Sequence, residues 1–264
     1  MSQLLSSPDE VLGEACRRPV AIALDRVAFS YADNPHVLQE ITLHIHEGER
    51  VGLIGHNGCG KTTLFLLMCG LLPLETGKIE LFGNAVLPGQ FYPEVGLLFQ
   101  DPEDQLFSPS VRDDIAFGPQ NLGLSAAEID ERVALALELT GLTALAERPP
   151  HHLSGGEKQM VAIAGLLAMT PRILLCDEPT ASLDLRTRRR LIHFLQRSDE
   201  TLVIASHDLE FLLEVCDRAV LIDDGCVIAD GNAKEVMGDR ALMEAHGLEK
   251  PHSLIPHSDP HHSC

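Results

Sequence analysis

The chain has 264 residues, 45% of them hydrophobic, which is enough to bury a sizeable core and excludes global disorder. Twenty Lys and Arg stand against 39 Asp and Glu, and the net charge of −19 argues against a protein whose main partner is a phosphate backbone, because nucleic-acid binding runs on clustered cations. Aromatics make up only 4% and Trp is absent, so the core must be mostly aliphatic, while seven Cys, an odd count with no CxxC pair, read as free thiols of a reducing compartment.

Residues 1–18 are polar and Ser-rich and read as a loose leader. Their acids precede their arginines, unlike the basic-then-apolar order of a signal peptide. Residues 20–24 and 41–45 alternate as strands do, and Arg50–Ile54 is a short apolar strand running into Gly55. Residues 61–69 have helical character and stop at Gly70, and 78–82 and 95–99 read as further strands. The apolar stretches 64–74 and 160–169 fall short of the roughly 18 residues that a membrane span needs, so the chain reads as soluble and cytosolic. Two capping boxes follow, Ser125 with Glu128 and Ser154 with Glu157. The first opens a helix to about Thr140, with Ile129, Val133, Ala136 and Leu137 on one face and Gly141 behind it; the second opens one that ends before Pro171. Strand patterns return at 173–176, 201–205 and 218–222, and Asp224-Gly225 sits where a hairpin turn would lead into 226–229. Strands and helices thus alternate, with a helical insertion near 101–165 and no internal repeat. Beyond about Gly238 periodicity fades, and residues 237–264 read as a His-rich, disordered tail.

The segment Gly55, His56, Asn57, Gly58, Cys59, Gly60, Lys61, Thr62, Thr63 has the make-up of a phosphate-binding loop. Its glycines let backbone N–H groups face a triphosphate, the following helix start adds partial positive charge, Lys61 adds a full one and Thr62 offers a hydroxyl to Mg²⁺. The field of Lys61 is expected to favour the Cys59 thiolate. The apolar run 173–176 ends in two carboxylates, of which Asp177 can hold the Mg²⁺ hydration shell and Glu178 can polarise a water in line with the γ-phosphate. His207 follows the strand 201–205 and should project from the same sheet edge. The Ser154, Gly155, Gly156, Glu157 helix start is a second anion-binding end in one chain, which is economical if it serves the nucleotide of a partner chain; an ordinary capped helix is the plainer alternative. The cluster Arg186, Arg188, Arg189 and Arg190 could suggest nucleic acid, but at −19 it reads as a solvated helix face. His246, His252, His257, His261, His262 and Cys264 are six candidate ligands for a borderline-soft divalent metal, or else a low-complexity remnant.

Over about residues 20–236 these residues resemble the ATP-binding subunits of ABC transporters. Tyr31 matches the aromatic that stacks on adenine, Gly55 to Thr63 the Walker A loop, Gln100 the Q-loop, Leu153 to Glu157 the signature, and Ile173 to Glu178 the Walker B strand. Ser182, Leu183 and Asp184 match the D-loop, and His207 the switch histidine. Residues 99–107, 116–119 and 164–169 resemble the energy-coupling-factor branch, which powers uptake of cobalt, nickel and vitamins. Three positions depart from the family pattern: Glu157 where Gln is commoner, Met160 where a basic residue is usual, and Cys176 in place of a larger apolar residue.

The resemblance implies an α/β fold: a P-loop NTPase (RecA-like) core with an N-terminal antiparallel β subdomain and an inserted α-helical signature subdomain, the ATPase domain spanning 19–236. It implies an ATPase with Glu178, His207 and Gln100 catalytic and Mg²⁺ held by Thr62, Gln100 and Asp177. Ser154, Gly155, Gly156, Glu157 and Asp184 would touch the ATP of a second subunit, in a homodimer or a heterodimer with a related chain. A transmembrane coupling subunit and a membrane substrate-binding subunit would be the other partners, with this chain peripheral on the cytoplasmic face of the membrane and no nucleic acid involved. Cobalt or nickel fits the imidazole-rich tail. A vitamin cargo, a soluble ABC ATPase acting on DNA or the ribosome, and an ATP-switched metal-binding regulator stay open as alternatives.

Overall fold

The apolar runs sort into two sheets because some are covered on one face and others on both. In the computed structural model, which describes residues 18–181 and 183–255, β1 (Val20–Phe29), β2 (Leu38–His46), β4 (Thr76–Leu81) and the short β5 (Asn84–Ala85) form an antiparallel sheet in the order β2-β1-β4-β5. β2 shows the half-buried alternation of such a sheet: Ile41, Leu43 and Ile45 are inside, Thr42 and His44 outside. The second sheet runs β10-β9-β3-β8-β7-β6, from β10 (Cys226–Asn232) through β9 (Arg218–Asp223), β3 (Arg50–Ile54), β8 (Thr201–Ala205) and β7 (Ile173–Asp177) to β6 (Val95–Leu98). All its pairings are parallel except that of β10 with β9. Every residue of β7 and β8 is buried, as expected for parallel strands covered on both faces.

Period two then divides the core. Val51, Leu53, Leu175, Val203, Val220 and Ile222 pack with the antiparallel sheet and with α1 (Lys61–Met68). Their neighbours Leu174, Cys176, Leu202, Ile204 and Leu221 join the core on the opposite face, with Phe211 of α6 (Leu209–Val215) and Leu191 and Ile192 of α5 (Leu185–Arg197). Between β6 and β7 the chain leaves the sheet for α2 (Val111–Asn121), α3 (Ala126–Thr140) and α4 (Gly155–Met169), which pack on one another through Val111, Ile115, Val133, Leu137, Val161 and Ala164. Both capping boxes form, and Gly141 takes the left-handed conformation behind α3. At the hairpin Asp224 and Gly225 have φ of 45° and 72°, the positive values that a tight right-twisted turn requires.

The tail departs from expectation. Residues 237–255 are ordered: α7 (Ala233–Gly238) leads into α8 (Arg240–Ala245) and a 3-10 turn at His252–Leu254, and Met237 and Met243 are fully buried against the main core. Two six-residue helices are too short to display a 3.6-residue repeat, so their anchoring side chains left no periodic trace. His257, His261, His262 and Cys264 lie outside the described residues, as do 1–17 and Ser182. Two of the four arginines of the cluster on α5 are paired within the chain: Arg188 with Asp208 at 2.9 Å and with Glu214, and Arg189 with the same Glu214.

Candidate active site

The loop after β3 is shaped by contacts that exclude a side chain. At Gly55 an added Cβ would lie 2.1 Å from the Ile222 carbonyl, and at Gly60, with φ +104°, 2.9 Å from that of Val37. The loop closes around Lys61, only 7% exposed, whose ammonium donates to the carbonyls of Gly55 at 2.7 Å and His56 at 3.0 Å. A buried cation at the first residue of α1, whose N-terminus has no side-chain cap, is placed to receive phosphate.

β7 ends beside β3's neighbour β8, and this order delivers the carboxylates. Thr62 Oγ1 donates to Asp177 Oδ2 at 2.5 Å. Asp177 is buried, and desolvation raises its carboxyl above the usual range against the pull of the Thr62 hydrogen bond, Lys61 and His207. A buried hard carboxylate beside a hydroxyl, with Gln100 lining the same cavity, is a donor set that fits Mg²⁺. Glu178 has a left-handed φ of 47°, a strained conformation for a side chain of this size. It is over-determined by its backbone N–H donating to Ala205 O at 2.9 Å, and by Ser206 Oγ and the His207 N–H donating to Oε2 at 3.0 and 3.2 Å. Its other oxygen, Oε1, is buried with no hydrogen-bond partner and lies 3.5 Å from His207 Nε2. An acceptor held in that state is built to take a proton from a donor that enters the cavity.

These groups line one cavity of about 490 Å³ together with Tyr31, Asn57, Gly58, Gly60, Lys61, Thr62 and Thr63. Tyr31 is fixed by an edge-on contact with Phe29 and by a 3.3 Å hydrogen bond to Thr63. Asn34, Val37 and Ala181 also line it, and sequence reasoning missed them because they belong to no motif and arrive through the β1–β2 connection and the segment after Glu178.

A family model described as ABC transporter matches residues 38–181. The chain belongs to the ABC transporter family. It is 61% identical over 243 residues, 91% of this chain and 86% of the relative, to a protein of Synechocystis named as an ABC transporter ATP-binding protein. It is 43% identical over 238 residues, 87% and 76%, to the energy-coupling factor transporter ATP-binding protein EcfA of Methanothermobacter thermautotrophicus. Among solved structures, CbiO1 of Clostridium perfringens, described as part of the ABC transporter complex CbiONQ, superposes with a TM-score of 0.74 at 35% identity over 86% of this chain and 94% of that one. The α/β architecture is that of an ABC ATPase of the energy-coupling-factor type, an ATP-hydrolysing transporter component.

The remaining site residues of this ABC ATPase sort differently. Ser154, Gly155, Gly156 and Glu157 open α4, the Ser154 and Glu157 side chains capping each other, and neither they nor Asp184 lines the cavity of their own chain. Asp184 caps α5 by accepting from the Thr187 N–H at 2.8 Å. His56 turns its ring away towards Asp223, 2.9 Å from Nε2. Cys59 corrects an expectation: it is 3% exposed, and burial raises its thiol, outweighing the Lys61 charge that was expected to favour the thiolate.

Proposed function

We propose that this ABC ATPase drives an energy-coupling-factor importer for cobalt or nickel, working as a homodimer that closes on two Mg-ATP molecules and opens on hydrolysis. The observation that carries the turnover half of this reading is the buried, unpartnered Oε1 of Glu178 beside His207. In this reading the loop N–H groups and Lys61 bind the β- and γ-phosphates, Tyr31 stacks on the base, and Glu178 Oε1 accepts the proton of the attacking water while His207 steadies the γ-phosphate. Thr62, Asp177 and Gln100 would hold Mg²⁺, which when bound offsets phosphate charge.

Two further features support the assembly. The capped start of α4 with its paired glycines, unused in its own chain, supports a trans contact from Ser154, Gly155, Gly156 and Glu157, and this reading assigns Asp184, also absent from the lining of its own cavity, to the same role. An apolar groove of about 330 Å³, lined by Leu71, Phe91, Phe99, Leu166 and Met169, adjoins Gln100 and supports docking of a transmembrane coupling subunit; Phe91 there is 61% exposed. Among the described residues no helix is long and apolar enough to cross a membrane; in this reading the membrane subunits hold the chain peripherally on the cytoplasmic face. The CbiO1 likeness supports assembly into a multi-subunit ABC transporter complex, and the choice of cobalt or nickel as cargo rests on the imidazole-rich C-terminal sequence.

The test is uptake of radioactive cobalt and nickel by cells carrying the chain with Glu178 intact or changed to Gln, together with mass spectrometry of what co-purifies from detergent-solubilised membranes. The reading expects uptake of one ion to collapse and a multi-span protein to co-purify. Unchanged metal uptake with loss of vitamin uptake would assign the cargo otherwise, and co-purification of ribosomes or DNA would remove the transport reading.

A further inference from the structure

The ring of His56 faces an acceptor from each of its nitrogens and does not line the nucleotide cavity. Nδ1 lies 2.7 Å from the carbonyl oxygen of Asn57, and Nε2 lies 2.9 Å from Asp223 Oδ1. Both partners are acceptors, whereas a neutral imidazole has a single N–H. The ring nitrogen that is not the donor therefore turns its lone pair towards an oxygen, a gap that a metal ion would bridge. The carboxylate that faces it is held from behind: Asp223 Oδ2 is 2.6 Å from Nδ1 of His246, just past α8, and this hydrogen bond is the main reason the Asp223 carboxyl lies below its usual range. Asp224, the next residue of the turn, adds a second carboxylate, and one donor atom from each of His56, Asp223 and Asp224 falls within 4.8 Å of the others. None of the three lines the nucleotide cavity.

We propose that His56, Asp223 and Asp224 bind a divalent first-row transition ion, of the class of Zn²⁺, Co²⁺ or Ni²⁺, with His246 as the positioning residue that orients the Asp223 carboxylate. The donor chemistry, one imidazole and two carboxylates, suits that class. With Nδ1 as donor to the Asn57 carbonyl, the Nε2 lone pair would face the Asp223 carboxylate, the arrangement by which outer partners set the tautomer of a ligating histidine. Three segments meet here, the loop after β3, the β9–β10 turn and the end of α8, so an ion would tie the phosphate loop to the C-terminal helices. The donors are already ordered by the fold, so binding costs less chain entropy than chelation by a flexible histidine tail. The site stands apart from the ATPase reading, and its failure leaves that reading untouched.

The experiment is titration of the nucleotide-free, full-length chain with CoCl₂ at pH 7.5, followed by visible absorption of bound Co²⁺ and by calorimetry. The expected result is one ordered site that takes one ion per chain, with the visible bands of a Co²⁺ bound by nitrogen and oxygen donors. Asp224→Asn removes one anionic donor while Asn tolerates the left-handed φ of the turn, and it should weaken binding at least about tenfold with ATP hydrolysis unchanged. His246→Gln should weaken it by about 10–100-fold, the usual effect of losing an outer partner, and shift the Co²⁺ spectrum. Replacing His257, His261 and His262 by Ala should leave this site intact. No binding to the parent chain, equal binding to the parent and Asp224→Asn, or loss of binding in the tail variant would each overturn the proposal and leave the His56–Asp223 contact as a local hydrogen bond.

Discussion

Glu178→Gln separates chemistry from binding and folding. In the parent, Oε2 accepts from Ser206 Oγ and from the His207 N–H, while Oε1 accepts from nothing. The amide can keep both contacts only with its oxygen in the Oε2 place, because an NH₂ there would face the His207 N–H donor to donor. That orientation puts the NH₂ where Oε1 was, exchanging a proton acceptor for a donor beside His207 Nε2. The left-handed φ of 47° is no harder for Gln than for Glu, so the fold should lose little. Removing a positioned general base costs about 10²–10⁴ in rate, or about 3–5 kcal/mol of barrier. Steady-state phosphate release should therefore fall by that factor, with ATP affinity within about twofold of the parent. A melting-temperature shift of more than about 3 °C, roughly 1 kcal/mol for a chain of this size, would mean that damage to the fold explains the rate. Hydrolysis near the parent rate would remove Glu178 from the chemistry.

Asp177 supplies a test of opposite sign. Burial raises its folded carboxyl above the unfolded value of about 3.9, so the folded chain binds more protons in that window and loses stability as pH rises through it. Asp177→Asn should then raise the calorimetric melting temperature of the nucleotide-free chain at pH 7, with the gain fading below about pH 4; a gain equal at both pH values would refute the desolvation argument. Maleimide at pH 7.5 should label Cys226, which is partly exposed, well before the buried Cys59; peptide mass spectrometry reads the order, and equal rates would contradict the burial of Cys59. Ser154→Ala removes the α4 cap, worth about 1 kcal/mol, which predicts a melting temperature about 2–4 °C lower. If the trans contact holds, hydrolysis should fall by more than this loss explains, and activity tracking stability alone would count against it.

Local sequence was informative wherever the cause of a structure lies among near neighbours in the chain. Arg50–Ile54 and Thr201–Ala205 are bounded correctly by sequence because a buried parallel strand is a continuous apolar run. Ser125 with Glu128 and Ser154 with Glu157 act three residues apart, so their capping boxes can be read directly. The glycines of the phosphate loop and the Asp224-Gly225 turn announce a backbone conformation, which is also a local property. The helices α7 and α8 are hidden because Met237 and Met243 are anchored by a core assembled from residues far away in the chain. The state of Cys59 differs from expectation because the adjacent Lys61 is visible in sequence, while the desolvation that outweighs it is not. Only the tertiary structure brings Asn34, Val37 and Ala181 to the cavity, Ser206 to Glu178, and His246 to Asp223 and so towards His56. Burial and long-range hydrogen bonds are sums over atoms that the fold alone makes neighbours, and a residue's charge state, reactivity and role follow those sums more closely than they follow the residues on either side of it.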